Sequence, residues 1–125
     1  METKFYLCKK CENVVEKLVD SGIPIVCCGE NMSELVPNTE EASVEKHLPV
    51  VTKVDDYTLK IDVGSVPHPM VPQHFIAFIY VEGENSFQRI NLTKEPTGQF
   101  CICDTKPKNV YAYCNLHGLW KTEVK

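Results

Sequence analysis

Two cysteine pairs near the N-terminus constrain this chain more than any other feature. Cys8-Lys9-Lys10-Cys11 is followed, after fifteen intervening residues, by the adjacent pair Cys27-Cys28 and then Gly29. A C-x-x-C turn aims two thiolates at one point, and a second pair completes a tetrahedron, which suits zinc or a single iron. Neighbouring residues of an extended chain point to opposite faces. Cys27 and Cys28 can therefore share a metal only through a tight, distorted turn, for which Gly29 supplies permissive backbone. Around these cysteines, residues 1–36 carry short β-prone runs, Phe5-Tyr6-Leu7 and Asn13 to Leu18, and a turn at Asp20-Ser21-Gly22. So little apolar mass cannot hold a unit together by burial, and a metal staple is the expected substitute.

The chain has 125 residues, seven cysteines, four histidines and a net charge of −4. An odd cysteine count without an apolar leader in Met1-Glu2-Thr3-Lys4 argues against a secreted disulfide framework, so the expected compartment is the cytoplasm and the clustered thiols are expected to bind metal. No basic stripe is present, so a nucleic-acid partner is not expected. No apolar run is long enough to span a bilayer, so no membrane partner is expected either.

Pro37-Asn38-Thr39-Glu40-Glu41 reads as a linker, and the texture changes after it. Thr58 to Val63 alternates polar and apolar residues, the mark of a half-buried strand. Phe75 to Val81 is a continuous β-prone run. Further strands are expected at His47 to Val54, Ser86 to Leu92, Gln99 to Cys103, Val110 to Tyr113 and Leu119 to Val124, punctuated by Gly83, Pro96-Thr97-Gly98 and Pro107. The predicted fold is therefore mainly β. A small metal-stapled β-module occupies residues 1–36, and an immunoglobulin-like antiparallel sandwich occupies 37–125.

All four histidines fall where strands end. His68 and His74 share a loop braced by Pro67, Pro69 and Pro72; Cys114 and His117 stand within one turn; His47 precedes the first strand of the sandwich. Prolines restrict that loop and help hold its imidazoles in place. Four imidazoles and one thiolate exceed a tetrahedral zinc shell and favour a five-coordinate transition metal with one open position, which means chemistry or small-ligand binding. Cys101 and Cys103, at i and i+2 of a predicted strand, would share a face with Cα atoms about 6.6–6.8 Å apart, at the edge of disulfide geometry. They read as two buried small hydrophobes.

These motifs together resemble the desulfoferrodoxins, the two-iron class of superoxide reductases, over essentially the whole chain. The resemblance rests on Cys8-Lys9-Lys10-Cys11 with Cys27-Cys28-Gly29, Glu45-Lys46-His47-Leu48-Pro49-Val50, Val63 to Met70 with His74, and Tyr113-Cys114-Asn115-Leu116-His117-Gly118-Leu119-Trp120. It implies two irons per chain. One would be held by Cys8, Cys11, Cys27 and Cys28 in a desulforedoxin-like module, where recombinant protein can carry zinc. The other would be ringed by His47, His68, His74 and His117 with Cys114 axial. It also implies that Glu45 closes the sixth position in the resting ferric state and that Lys46 lies over the open face. The implied reaction is one-electron reduction of superoxide to hydrogen peroxide, with the four-cysteine iron as auxiliary electron-transfer site, a rubredoxin-like donor and a homodimeric assembly. The alternative is a non-catalytic metal-binding or electron-transfer protein with a zinc-ribbon-like N-terminus.

Overall fold

The computed structural model describes residues 3–103 and 106–125. Met1 and Glu2, part of the polar N-terminus read above, lie outside the described residues. The chain forms two compact units, Met1–Val36 and Pro37–Lys125.

In the first unit, β1 (Phe5–Leu7) is central, paired antiparallel with β2 (Val14–Glu16) and β5 (Ser33–Leu35). A two-stranded ribbon, β3 (Val26–Cys27) and β4 (Glu30–Asn31), carries Cys28-Gly29 as its turn. Both turn residues have positive φ, 53° and 77°. That is the demand of a type I′ hairpin, whose twist matches its strands. The distortion expected for the adjacent cysteines thus falls on Cys28 as well as on Gly29, at a cost of about 1–2 kcal/mol for the non-glycine residue. The apolar interior amounts to Phe5, Cys8 and Met32, while Leu18, Val19 and Ile23 are 66, 80 and 69% exposed.

The second unit is a seven-stranded antiparallel sandwich of immunoglobulin-like type. One sheet runs β10 (Thr97–Cys101), β7 (Thr58–Val63), β6 (Pro49–Asp55). The other runs β12 (Gly118–Glu123), β11 (Pro107–Cys114), β8 (Ile76–Gly83), β9 (Phe87–Asn91). Alternation places Leu59, Ile61 and Val63 of β7 inward against Ile79 and Val81 of β8 and Val110, Ala112 and Cys114 of β11. Each fully buried Ile or Val contributes on the order of 2 kcal/mol. Among the described residues no helix is long and apolar enough to cross a membrane.

Three expectations fail. His47 does not open a strand: it ends α1 (Val44–His47), a single turn closed by Leu48 N–H donating to Val44 O at 2.9 Å. Pro49 disfavours helical backbone at Leu48, which is extended (φ −70°, ψ 122°), so the helix stops and β6 starts at Pro49. Cys101 and Cys103 are not buried and do not share a strand. Both are exposed, and β10 ends at Cys101. Pro107 and Thr97-Gly98, read as punctuation, instead lie within strands, at the start of β11 and β10.

Candidate metal centres

The four N-terminal cysteines meet. Cys8 and Cys11 flank a turn in which Glu12 N–H donates to Cys8 O (2.8 Å) and Cys8 N–H to Asn13 O (2.9 Å), with Glu12 at φ 69°. The β3–β4 turn brings Cys27 and Cys28 to the same point, and the four sulfurs lie within 4.8 Å of one another. Cys11 Sγ is 3.5 Å from Cys27 Sγ, and Cys27 Sγ is 4.0 Å from Cys28 Sγ. A tetrahedron with metal–sulfur bonds near 2.3 Å has edges of about 3.8 Å, so the sulfurs already stand at ligand spacing. Backbone N–H groups of Cys11 and Lys10 help draw the Cys8 thiol down to about 6. Contacts with the sulfurs of Cys11, Cys8 and Cys27 push the Cys28 thiol up to about 12. One thiolate forms readily here, and the next needs a cation to offset the crowding. Cys8 is buried, whereas Cys11 and Cys28 are exposed.

The second centre sits at one end of the sandwich. His47 leaves α1, and His68 follows the turn after β7. His74 closes a tight turn in which Val71 and His74 exchange both backbone hydrogen bonds at 3.1 Å. Cys114 ends β11 just past a register shift that re-aims the strand, and His117 lies in the turn to β12. The imidazoles form a square. Successive ring centroids, His47–His68–His74–His117 and back, are 4.7, 4.5, 5.1 and 4.8 Å apart, and the His47–His74 diagonal is 6.3 Å. His47 Nε2 is 3.1 Å from both His68 Nε2 and His117 Nδ1. Bonds near 2.1 Å in a square plane give nitrogen edges of about 3.0 Å, against about 3.4 Å in a tetrahedron, so the donors fit a tetragonal ion. Cys114 Sγ, 3.8 Å from His117 Nδ1, adds the fifth donor.

Ring tautomers explain why a cation belongs there. His47 Nδ1–H donates to Ser43 O and His68 Nδ1–H to Pro69 O, each at 2.7 Å. Both Nε2 atoms therefore present lone pairs to each other at 3.1 Å, which no hydrogen bond can reconcile in the neutral rings. Buried His74 Nε2 has no partner either. Burial keeps the rings neutral and ready to donate: it lowers His47 and His74 and takes His68 down to about 4. Burial raises the Cys114 thiol, opposed by backbone N–H groups of Leu116 and His117. The donors of His47, His68 and Cys114 are almost closed to solvent, at 2, 3 and 0% exposure.

Lys46 and Glu45 are both exposed on α1. The Lys46 charge reaches the site, depressing His47 and His74. Gly64 (φ 73°) fixes this segment, since its Cα faces the backbone of Glu45 and Lys46 where a Cβ could not fit. Val66 N–H donates to Glu45 O at 2.8 Å.

Three contributors escape a reading by ligand type. Backbone carbonyls of Ser43 and Pro69 have no sequence signature. Asn115 ties the Cys114–His117 turn to the His74 loop, its side chain accepting from Phe75 N–H (2.8 Å) and donating to Gln73 O (3.0 Å). Trp120 stacks on His47 at 5.1 Å and donates Nε1–H to His117 O at 3.1 Å. A polar amide between two ligands, and an indole three residues past the last one, were the available signals.

The desulfoferrodoxin family model matches residues 39–123. A desulfoferrodoxin of Syntrophotalea carbinolica is 41% identical over 119 residues, covering 94% of each chain. One from Nitratidesulfovibrio vulgaris is 40% identical over 125 residues, 97% of this chain and 96% of the relative. The crystal structure of a superoxide reductase from Treponema pallidum superposes with a TM-score of 0.80 at 30% identity, covering 98% of this chain and all of the other. With both cysteine and histidine clusters assembled in this fold, the chain belongs to the desulfoferrodoxin family.

Proposed function

We propose that this chain is a superoxide reductase that turns superoxide into hydrogen peroxide at the four-histidine, one-cysteine centre. The observation that carries it is the square of four imidazoles, two of them buried, with the Cys114 thiol as a fifth donor, a set that would leave a bound ion room for a small ligand. Iron held by His47, His68, His74, His117 and Cys114 supplies, when bound, the single electron that superoxide needs. The protein's own residues do the rest. Ser43 O and Pro69 O hold two imidazoles in the donating tautomer. Asn115 keeps the His74 loop against the Cys114 turn. Lys46 offers an anion a positive charge beside the site in a chain of net charge −4. Glu45, exposed beside Lys46 on α1, is the carboxylate that would close the site when no substrate is present.

The four-cysteine unit, residues 1–36, serves as the auxiliary iron centre where electrons enter or are stored. Its exposed Cys11 and Cys28 support that role, and a shell of four thiolates also accepts zinc in recombinant protein. The chain works in the cytoplasm as a homodimer and draws electrons from a rubredoxin-like donor. The cysteine usage supports this compartment.

Pulse radiolysis of the anaerobically reduced, iron-loaded protein tests the reading. The expected result is one hydrogen peroxide for every superoxide consumed, no oxygen released, and a stop once the electrons held by the two reduced irons, at most two per chain, are spent unless a donor is added. Release of oxygen, or continued turnover without donor, would show dismutation and overturn it.

A further inference from the structure

Cys101 and Cys103 stand outside both metal clusters, and the structure removes the reason to treat them as filler. Ile102 turns inward, packing against the sandwich core. Its two neighbours therefore share the solvent side, and both are exposed. The backbone between them is clamped from both sheets. Ile102 N–H donates to Tyr57 O at 2.8 Å, and Gln88 Nε2 donates to Cys101 O at 2.5 Å. Because β10 stops at Cys101 and the chain turns at Cys103, the wide Cα spacing of an extended strand no longer applies to the pair.

Both thiols are open to solvent, where a small hydroperoxide can reach them. The pair is also remote from the imidazoles. Cys101 pairs with Thr58 at the start of β7, whereas the imidazole cluster lies beyond the Val63 end, about 17 Å along the strand.

We propose that Cys101 and Cys103 form a second redox site, independent of metal: a dithiol that a hydroperoxide converts to an intramolecular disulfide. One thiolate attacks a peroxide oxygen, the O–O bond breaks, and the sulfur becomes a sulfenic acid as the departing hydroxide takes up a proton to leave as water. The other thiol attacks that sulfur, the S–S bond forms, and a second water leaves. Two thiols give up two electrons, and one hydrogen peroxide becomes two waters. Hydrogen peroxide is also the product of the proposed superoxide chemistry, but the site's reaction does not depend on that reading.

The test uses the iron-loaded full chain and a small excess of added hydrogen peroxide, followed by alkylation, digestion and mass spectrometry. The peptide holding both cysteines should escape alkylation, weigh two hydrogens less than the dithiol and recover with dithiothreitol. Disulfide should exceed oxygen adducts in that peptide at least tenfold. Cys103→Ser should reverse the ratio, leaving Cys101 to collect oxygen. The double variant C101S/C103S should keep both visible iron spectra and the parental rate with superoxide. A wild-type peptide that stayed alkylated, gained oxygen instead, or cross-linked two chains would overturn the proposal. Loss of iron in the double variant would do the same, by assigning the pair to structure.

Discussion

The two metal clusters of this chain are built on opposite terms. Cys8, Cys11, Cys27 and Cys28 sit in a unit whose interior is three residues deep, with Cys11 and Cys28 open to water. His47, His68 and Cys114 are closed off at the end of a seven-stranded sandwich, and Cys114 is itself part of the core. In the first unit a metal would stand in for a core; in the second the core comes first and aims the donors. On the proposed function the difference separates two jobs. Exposed sulfurs suit exchange of electrons with a partner, while buried donors with fixed tautomers suit control of one small substrate.

The sharpest break of that comparison falls on the thiolates. Cys114→Ser should abolish the thiolate-to-iron absorption of the imidazole centre and lower turnover by about 100-fold or more, since even residues that merely support ligands are worth ~10–100-fold. Cys11→Ser should remove the other iron and leave superoxide reduction near the parental rate. Visible spectra, iron content and pulse radiolysis of the two variants read this directly. A Cys11 variant that stayed folded but inactive would merge the two jobs.

Metal removal probes the same contrast through stability. Chelation of the four-cysteine site should unfold residues 1–36, because Phe5, Cys8 and Met32 are too little core to hold them, while the sandwich stays folded. Hydrogen exchange should show the first unit losing protection and β7, β8 and β11 keeping it. Protection retained in the apo N-terminal unit would mean its strands stand without the metal.

Lys46 tests whether the buried centre depends on the surface above it. Lys46→Ala should slow encounter with superoxide by roughly tenfold and weaken its salt dependence, while iron content and spectrum stay unchanged. Glu45→Ala should instead change the resting ferric spectrum with little effect on encounter. Parental rate and salt dependence in the Lys46 variant would make it an ordinary surface lysine.

How far the sequence carried depended on what kind of signal a feature leaves. Thr58 to Val63 was legible because a half-buried strand writes its period of two into residue types. The convergence of the clustered cysteines and histidines was legible because both residue types are rare and their spacings narrow, and the resemblance suggested their roles. The square of imidazoles was legible only through that resemblance and not from spacing, since it depends on where four separate elements end in space. The helix α1 was invisible because four residues cannot show a helical period, and a strand was read from its last residue, His47, onward. The placing of Lys46 rested on the resemblance, and the structure shows it exposed on a helix turn. Cys101 and Cys103 were misjudged because the average burial of cysteine outweighed a local fact, the inward turn of Ile102.

The smallest expected effect belongs to Trp120, and it asks how much of the buried centre's order comes from outside its donors. Its ring stacks on His47 with an interplanar angle of 22°, and its Nε1–H reaches the carbonyl of His117 at 3.1 Å. One side chain thus braces two corners of the square. Trp120→Phe keeps an aromatic face for His47 but leaves the half-buried His117 carbonyl without its donor, a loss of about 1 kcal/mol. The His117 turn should loosen, turnover should fall about twofold to fivefold, and the charge-transfer band should shift in position rather than vanish, with full iron content. A purely structural tryptophan would lower the melting temperature and leave the band where it was. A second substitution, Trp120→Leu, removes the stack as well and should move the band further. If Phe and Leu shift it equally, stacking on His47 contributes nothing beyond bulk, and the bracing runs through the His117 carbonyl alone.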